Sequence, residues 1–408
     1  MNESQRPRWF DLATPIALLV AVLPVLFSII YGSLIVSLGS NPILAFAASG
    51  AFIVHFSRRP PRAECAATFV LAILLRLLYA LVFHRIGEYF GSPVIVWGSF
   101  LGLASLVMLL LHAIRAPGPE RKHALIDLIA GGAWFYYWIV LGLVLTLTAF
   151  LIPRTYDQFL YAFDGSLGFQ PSFLAGQFLR TSPLLDNLVD TLYFAIALPV
   201  ALLYAAQLRR GYSSGYKIFP LLIAASTGGF FLYFVLPATG PVYEFSGRFP
   251  FVIPPVSLHI GAILPIHGRA VRNGMPSLHF GTALMLWWNC RIWPPLGRIG
   301  VWLFLVATTF ATLATGQHYV IDLIVAFPVM LMFHAAGMTA LPPRSPERWV
   351  PVAAGFVGTF AWLAFLRYGV TLCVGRPFLS WSLLVTTVAG CSILERRLWK
   401  KANSVSAS

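Results

Sequence analysis

This chain has little charge and almost no cysteine. Only 10% of its 408 residues are charged, where a soluble domain carries about 25%. With 58% of residues hydrophobic, no water-soluble core of this length hides the apolar surface, so the soluble globular class is excluded. The same apolar content excludes disorder. The four cysteines, Cys65, Cys290, Cys373 and Cys391, form no C-x-x-C pair, and neither a disulfide framework nor a zinc site is suggested. The 14 acidic residues form no cluster suited to a metal pair. Residues 1–11 lack a cleavable signal pattern, and no internal repeat supports an inverted transporter pair.

Long apolar runs are abundant instead. A bilayer core about 30 Å thick takes about 20 apolar residues per helix. Hydropathy places spans near 12–38, 42–57, 66–84, 93–114, 125–153, 183–207, 218–238, 276–290, 299–317, 320–340, 350–369 and 379–394. Continuous apolar runs do not alternate as barrel strands do. The expected fold is therefore an all-α, polytopic integral membrane protein with about twelve transmembrane helices. With loops numbered from a cytoplasmic N-terminus, Arg85, Arg154, Arg180, Arg248, Arg269, Arg272 and Arg376 fall outside. Arg76 and Arg367 fall within spans, where they snorkel or pair structurally, and every other Lys and Arg falls inside. That asymmetry follows the positive-inside rule, with both termini cytoplasmic. The formal charge of +14 thus reports topology, and no nucleic-acid partner is expected.

Two long outside loops leave room for chemistry. Residues 154–182 hold Asp157 and Asp164 and are expected as an amphipathic segment on the membrane surface; residues 239–275 are rich in Gly and Pro. The segment Gly274-Met275-Pro276-Ser277-Leu278-His279 opens the eighth span. Pro276 suits a first helical turn, and the helix N-terminus offers unpaired amides and partial positive charge to an anion. His279 falls in that turn, with Arg269 and Arg272 just upstream. In Gly316-Gln317-His318-Tyr319-Val320-Ile321-Asp322, His318 and Asp322 are four apart, so on a helix they share a face. A carboxylate that accepts from one ring nitrogen fixes the tautomer and leaves the other nitrogen nucleophilic. His112 and His334, alone in their spans, read as interhelical hydrogen-bonding groups, and His259 and His267 as solvated loop residues. Asp186 and Asp190, four apart near the start of the sixth span, either pair with the site arginines, line an acceptor pocket, or form an interfacial polar face.

Pro276-Ser277-Leu278-His279 followed by His318-Tyr319-Val320-Ile321-Asp322 resembles the second and third signature motifs of the type 2 phosphatidic acid phosphatase superfamily. The pattern P-S-x-H with H-Y-x-x-D is closest to the branch of the inositol phosphorylceramide and sphingomyelin synthases. The resemblance implies a six-helix phosphatase-like core over residues 124–341, flanked by a four-helix region, 1–123, and a two-helix hairpin with a basic tail, 342–408. The superfamily's first motif, K-x6-R-P, has no counterpart; Pro237-Ala238-Thr239-Gly240-Pro241-Val242-Tyr243-Glu244 stands in its place. Ala311-Thr312 stands where the third motif elsewhere begins with Ser-Arg. Arg248, Arg269, Arg272 and Ser277 are therefore the candidate phosphate-binding residues, and Tyr243, Tyr319, Asp186 and Asp190 the candidate substrate pocket. The resemblance implies that His318 attacks the phosphorus of a lipid phosphoester, Asp322 orients it, and His279 protonates the leaving oxygen, with water or an alcohol as acceptor. No metal or cofactor is expected, and the active site is expected on the extracytoplasmic face. The rival classes are a polytopic glycosyltransferase using a lipid-phosphate sugar donor and a proton-coupled transporter.

Overall fold

The computed structural model describes residues 42–83, 93–208, 218–256, 264–265 and 270–407. The expected span 12–38 lies outside them, as do Arg269, His259 and His267. Two compact units divide the chain, Met1–Val144 and Leu145–Ser408. Of the described residues 79% are helical, and the other expected spans all fall on helices. Among the described residues, seven helices are long and apolar enough to cross a membrane, or eight if one bent pair counts as a span.

In the first unit, α1 (Pro42–Ser57), α2 (Arg62–Phe83), α3 (Pro93–Arg115) and most of α4 (Gly118–Leu151) pack together. At Gly102 a Cβ would stand 1.9 Å from the Ala48 carbonyl oxygen, so only glycine lets α1 and α3 approach this closely. Buried Asp127 takes Arg58 at 3.2 Å. Arg76 lies over the rings of Tyr79 and Phe100, a structural partnership.

The second unit is built around α13 (Val320–Ala336). It packs on α5 (Asp157–Ser166), α9 (Ile218–Val235), α11 (Leu278–Asn289), α14 (Pro346–Tyr368) and α15 (Pro377–Ala407). An apolar surface all round suits a helix with neighbours on every side. Around this group lie α6 (Pro171–Leu179) and α12 (Pro295–Ala314), which pack on each other. The short strands β1 (Arg154–Thr155) and β2 (Leu264–Pro265) pair antiparallel.

Four elements differ from expectation. The sixth span is two helices, α7 (Pro183–Phe194) and α8 (Ala197–Leu208), bent by 44°. Pro199 accounts for the break, because its ring clashes with the carbonyl four residues back, at Ala195. The segment expected on the membrane surface instead forms α5, in which eight of ten residues are buried. Its aromatics hold it there: Tyr161 meets Phe245 and Phe173, and Phe163 meets Trp362 edge-on. The last span extends through Arg396, Arg397, Lys400 and Lys401 to Ala407, because Leu398 and Ala402 bury against Ala335, Met338 and Leu341. Finally, α11 starts at Leu278 with Ser277 as its cap, so Pro276 precedes the helix rather than opening it.

Candidate active site

Three loops meet at the N-terminal ends of α11 and α13. The loop of residues 236–240 leads to α10 (Pro241–Glu244), that of 270–277 leads to α11, and that of 315–319 leads to α13. Backbone hydrogen bonds tie them together. The Gly274 amide donates to the Ala238 carbonyl at 2.7 Å, and the Val242 amide to the Gly316 carbonyl at 2.9 Å. The Ser277 amide donates to the Asp322 carbonyl at 3.1 Å. Gly240 has φ +99°, and a Cβ there would stand 2.3 Å from the Gln317 carbonyl oxygen, so glycine is required on both counts.

Two buried aspartates anchor these loops from α5. Asp157 accepts from the Thr239 amide at 3.0 Å, the Gly240 amide at 2.8 Å and the Thr239 hydroxyl at 3.2 Å. Asp164 accepts from the amides of Val320 and Ile321 at 2.8 and 3.2 Å, which caps α13 from another helix. Amide donors at a helix start are otherwise orphaned, and a carboxylate there also meets the favourable end of the helix dipole. Neither role was visible in the sequence, because each pairing spans 82 residues or more.

His318 is buried at 2% exposure in the loop before α13. Its ring Nδ1 lies 2.8 Å from the Gly274 carbonyl oxygen and 3.4 Å from Asp322 Oδ2. A carbonyl can only accept, so Nδ1 carries the proton, and Nε2, which enters neither contact, holds the lone pair. Burial pushes the imidazole down to about 4, with the Gly274 carbonyl opposing. The ring is therefore neutral near pH 7. His318 does not share a helical face with Asp322 as the spacing suggested. It precedes the cap residue Tyr319, and the Tyr319 amide donates to Asp322 Oδ2 at 2.7 Å. Asp322 Oδ1 is buried without a hydrogen bond, so acceptor capacity stands in reserve beside the ring.

His279 lies in the first turn of α11 and stacks on Tyr193, with ring centroids 4.0 Å apart and planes 14° apart. Ser277, two residues before it, donates its amide to the carbonyl of Asp322, which places His279 and His318 at one junction of helix starts. Tyr243 lies exposed on α10. Ser277 is fully buried, and its hydroxyl oxygen accepts from the Phe280 amide at 3.4 Å. Tyr319 is buried within electrostatic reach of Asp157, Glu244 and Asp322.

The remaining candidates fall elsewhere. The Arg272 guanidinium is held by the carbonyls of Ile152, at 2.8 Å, and Ala270. Arg248 is exposed beside Glu244. Asp186 pairs with its neighbour Arg180 rather than with a site arginine, and Asp190 lies on α7, one turn before Tyr193. Among the described residues, no three His, Cys, Asp or Glu side chains gather so as to hold a metal ion.

A family model described as PAP2 superfamily matches residues 158–336. The matched stretch runs from α5 through α13 and contains His279, His318 and Asp322, which supports the superfamily for this part of the chain. No curated protein and no solved structure matches the chain.

Proposed function

We propose, taking the superfamily match over residues 158–336 as the premise, that this chain is a membrane phosphotransferase or phosphatase acting on lipid phosphoesters through a phosphohistidine. The observation that carries the reading is the buried His318, whose Nδ1 is fixed by the Gly274 carbonyl so that Nε2 is the nucleophile.

The first step forms the bond from His318 Nε2 to phosphorus and breaks the bond from phosphorus to the lipid oxygen. His279 gives its proton to that oxygen as it leaves. Asp322 stabilises the positive charge that develops on the imidazole. The equatorial oxygens meet the amides that open α11. In the second step the acceptor hydroxyl loses its proton to His279, its oxygen bonds to phosphorus, and the bond to His318 breaks. The acid of one step thus serves as the base of the next. No step calls for a metal.

The closeness of P-S-x-H and H-Y-x-x-D to the inositol phosphorylceramide and sphingomyelin synthases favours transfer to an alcohol over hydrolysis. The arginine asymmetry supports twelve spans, cytoplasmic termini and a site on the extracytoplasmic face.

The test is turnover by purified protein in detergent with EDTA present, beside a His318→Ala control. Phosphatidic acid, an isoprenyl pyrophosphate, and phosphatidylinositol with ceramide are offered in parallel. The expected result is loss of turnover in His318→Ala by at least about a thousandfold. Free phosphate identifies hydrolysis, and a new phospholipid identifies transfer. Undiminished turnover by His318→Ala rejects the assignment.

A further inference from the structure

A polar cavity of about 410 Å³ opens at the loop end of the second unit, lined by Gln158, Glu244, Ser246 and Arg248, with Phe245, Pro254 and Pro255 as its apolar wall. Gln158 Nε2 donates to Glu244 Oε1 at 2.8 Å. Among the described residues Glu244 forms no ion pair, although Arg248 lies four positions on. A half-buried carboxylate bonded to a neutral amide and not to a nearby guanidinium keeps acceptor capacity for something that enters the cavity. Burial, with the Asp157 carboxylate nearby, pushes Glu244 up to about 7 while the Gln158 amide opposes.

The cavity stands beside the phosphoryl site. Gln158 follows Asp157, which holds the loop at Thr239 and Gly240. That loop in turn touches Gln317 and Gly316 in the segment leading to His318. Val242, two residues before Glu244, donates its amide to the carbonyl of Gly316, two residues before His318. Ser246 and Arg248 at its mouth are exposed.

The lining chemistry selects its ligand. A carboxylate and an amide oxygen accept, while a guanidinium, a serine hydroxyl and an amide N–H donate. Glu244 offers a carboxyl oxygen to a hydroxyl in either protonation state, and Arg248 offers guanidinium donors across the cavity. Neutral molecules with several adjacent hydroxyls match alternating donors and acceptors of this kind. We propose that this cavity binds a water-soluble polyhydroxylated alcohol, the acceptor that takes the phosphoryl group from His318. This rests on the phosphotransfer reading above and specifies its acceptor.

Full-length protein in detergent is loaded from a lipid phosphate carrying labelled phosphorus, then chased with glycerol, sorbitol or inositol. Label partitions between free phosphate and phosphorylated polyol. The expected result is saturable transfer to at least one polyol, with a half-saturating concentration raised tenfold or more in Glu244→Gln and in Gln158→Ala. The rate at which His318 acquires label stays unchanged in both variants, which shows that they fold and keep the phosphoryl site. Saturation-transfer NMR with the same polyols reads binding without turnover. Label that passes only to water at every polyol concentration overturns the proposal, as does transfer indifferent to both substitutions. If wild-type protein never acquires label, the phosphotransfer reading itself fails. Absence of saturable polyol binding by NMR in that case removes the cavity's assignment as well.

Discussion

At the scale of single residues, the account turns on which atom holds the proton of His318. The Gly274 carbonyl at 2.8 Å is a closer partner for Nδ1 than Asp322 at 3.4 Å. The carbonyl alone thus fixes the tautomer, and Asp322 adds charge stabilisation. Asp322→Asn is therefore expected to lower kcat by about a hundredfold, less than the loss in His318→Ala, and to leave KM within a few fold. A loss equal to that of His318→Ala would show that Asp322 alone orients the ring. The depressed imidazole gives a second expectation. Because burial holds His318 near 4, it stays neutral as pH falls through the usual histidine range, about 6.5. Single-turnover labelling of His318 then loses rate only as pH falls through about 4; a midpoint near 6.5 would mean a solvated ring. That His279, His318 and Asp322 are the candidates was legible in the sequence, since their spacing in P-S-x-H and H-Y-x-x-D is local. The Gly274 contact was not, because a backbone carbonyl 44 positions away leaves no trace in side-chain pattern.

At the scale of elements, a helix start positions His318, the proposed nucleophile. Asp164 holds the first two amides of α13 from α5, and His318 stands two residues before the first of them. Asp164→Ala removes both bonds, and a lost cap typically costs about 1–2 kcal/mol. The expected outcome is a lower Tm together with a fall in kcat, while Asp164→Asn, whose amide oxygen accepts one of the two bonds, lies between. A kcat unchanged in Asp164→Ala would show that α13 positions His318 without this cap. Hydropathy located the helices well, since bilayer thickness dictates their length and apolarity. It misplaced α5 because the Asp and aromatic residues of residues 157–166 read as an interfacial face. In the fold those aspartates are buried because each is satisfied by amides. The bend at Ala195 was marked by Pro199, a signal that hydropathy averages away.

At the scale of the whole molecule, the stretch matched to the superfamily ends at residue 336, whereas the second unit continues through α14 and α15. Both pack on α13, so the C-terminal helices support the helix that carries the site. Their strongest polar tie is Arg291 to Glu395, a two-bond pair at 2.7 and 2.6 Å in which the carboxylate is 1% exposed. The guanidinium also lies 5.1 Å from the centre of the Trp399 ring. Removing one partner of a buried pair costs about 3–5 kcal/mol. Glu395→Ala is expected to lower Tm sharply, and Arg291→Met with Glu395→Leu to restore much of it. Equal Tm for Glu395→Ala and wild type would show that α15 is held by its apolar contacts alone.

The central claim is tested most directly by trapping the enzyme in mid-reaction. Protein incubated with a lipid phosphoester labelled at phosphorus is quenched in alkali, which preserves a phosphohistidine, then digested and sequenced by mass spectrometry. The account predicts label on His318, lost on acid treatment and absent from His318→Ala. Label on any other residue, or steady turnover by His318→Ala with no trapped species, would contradict it.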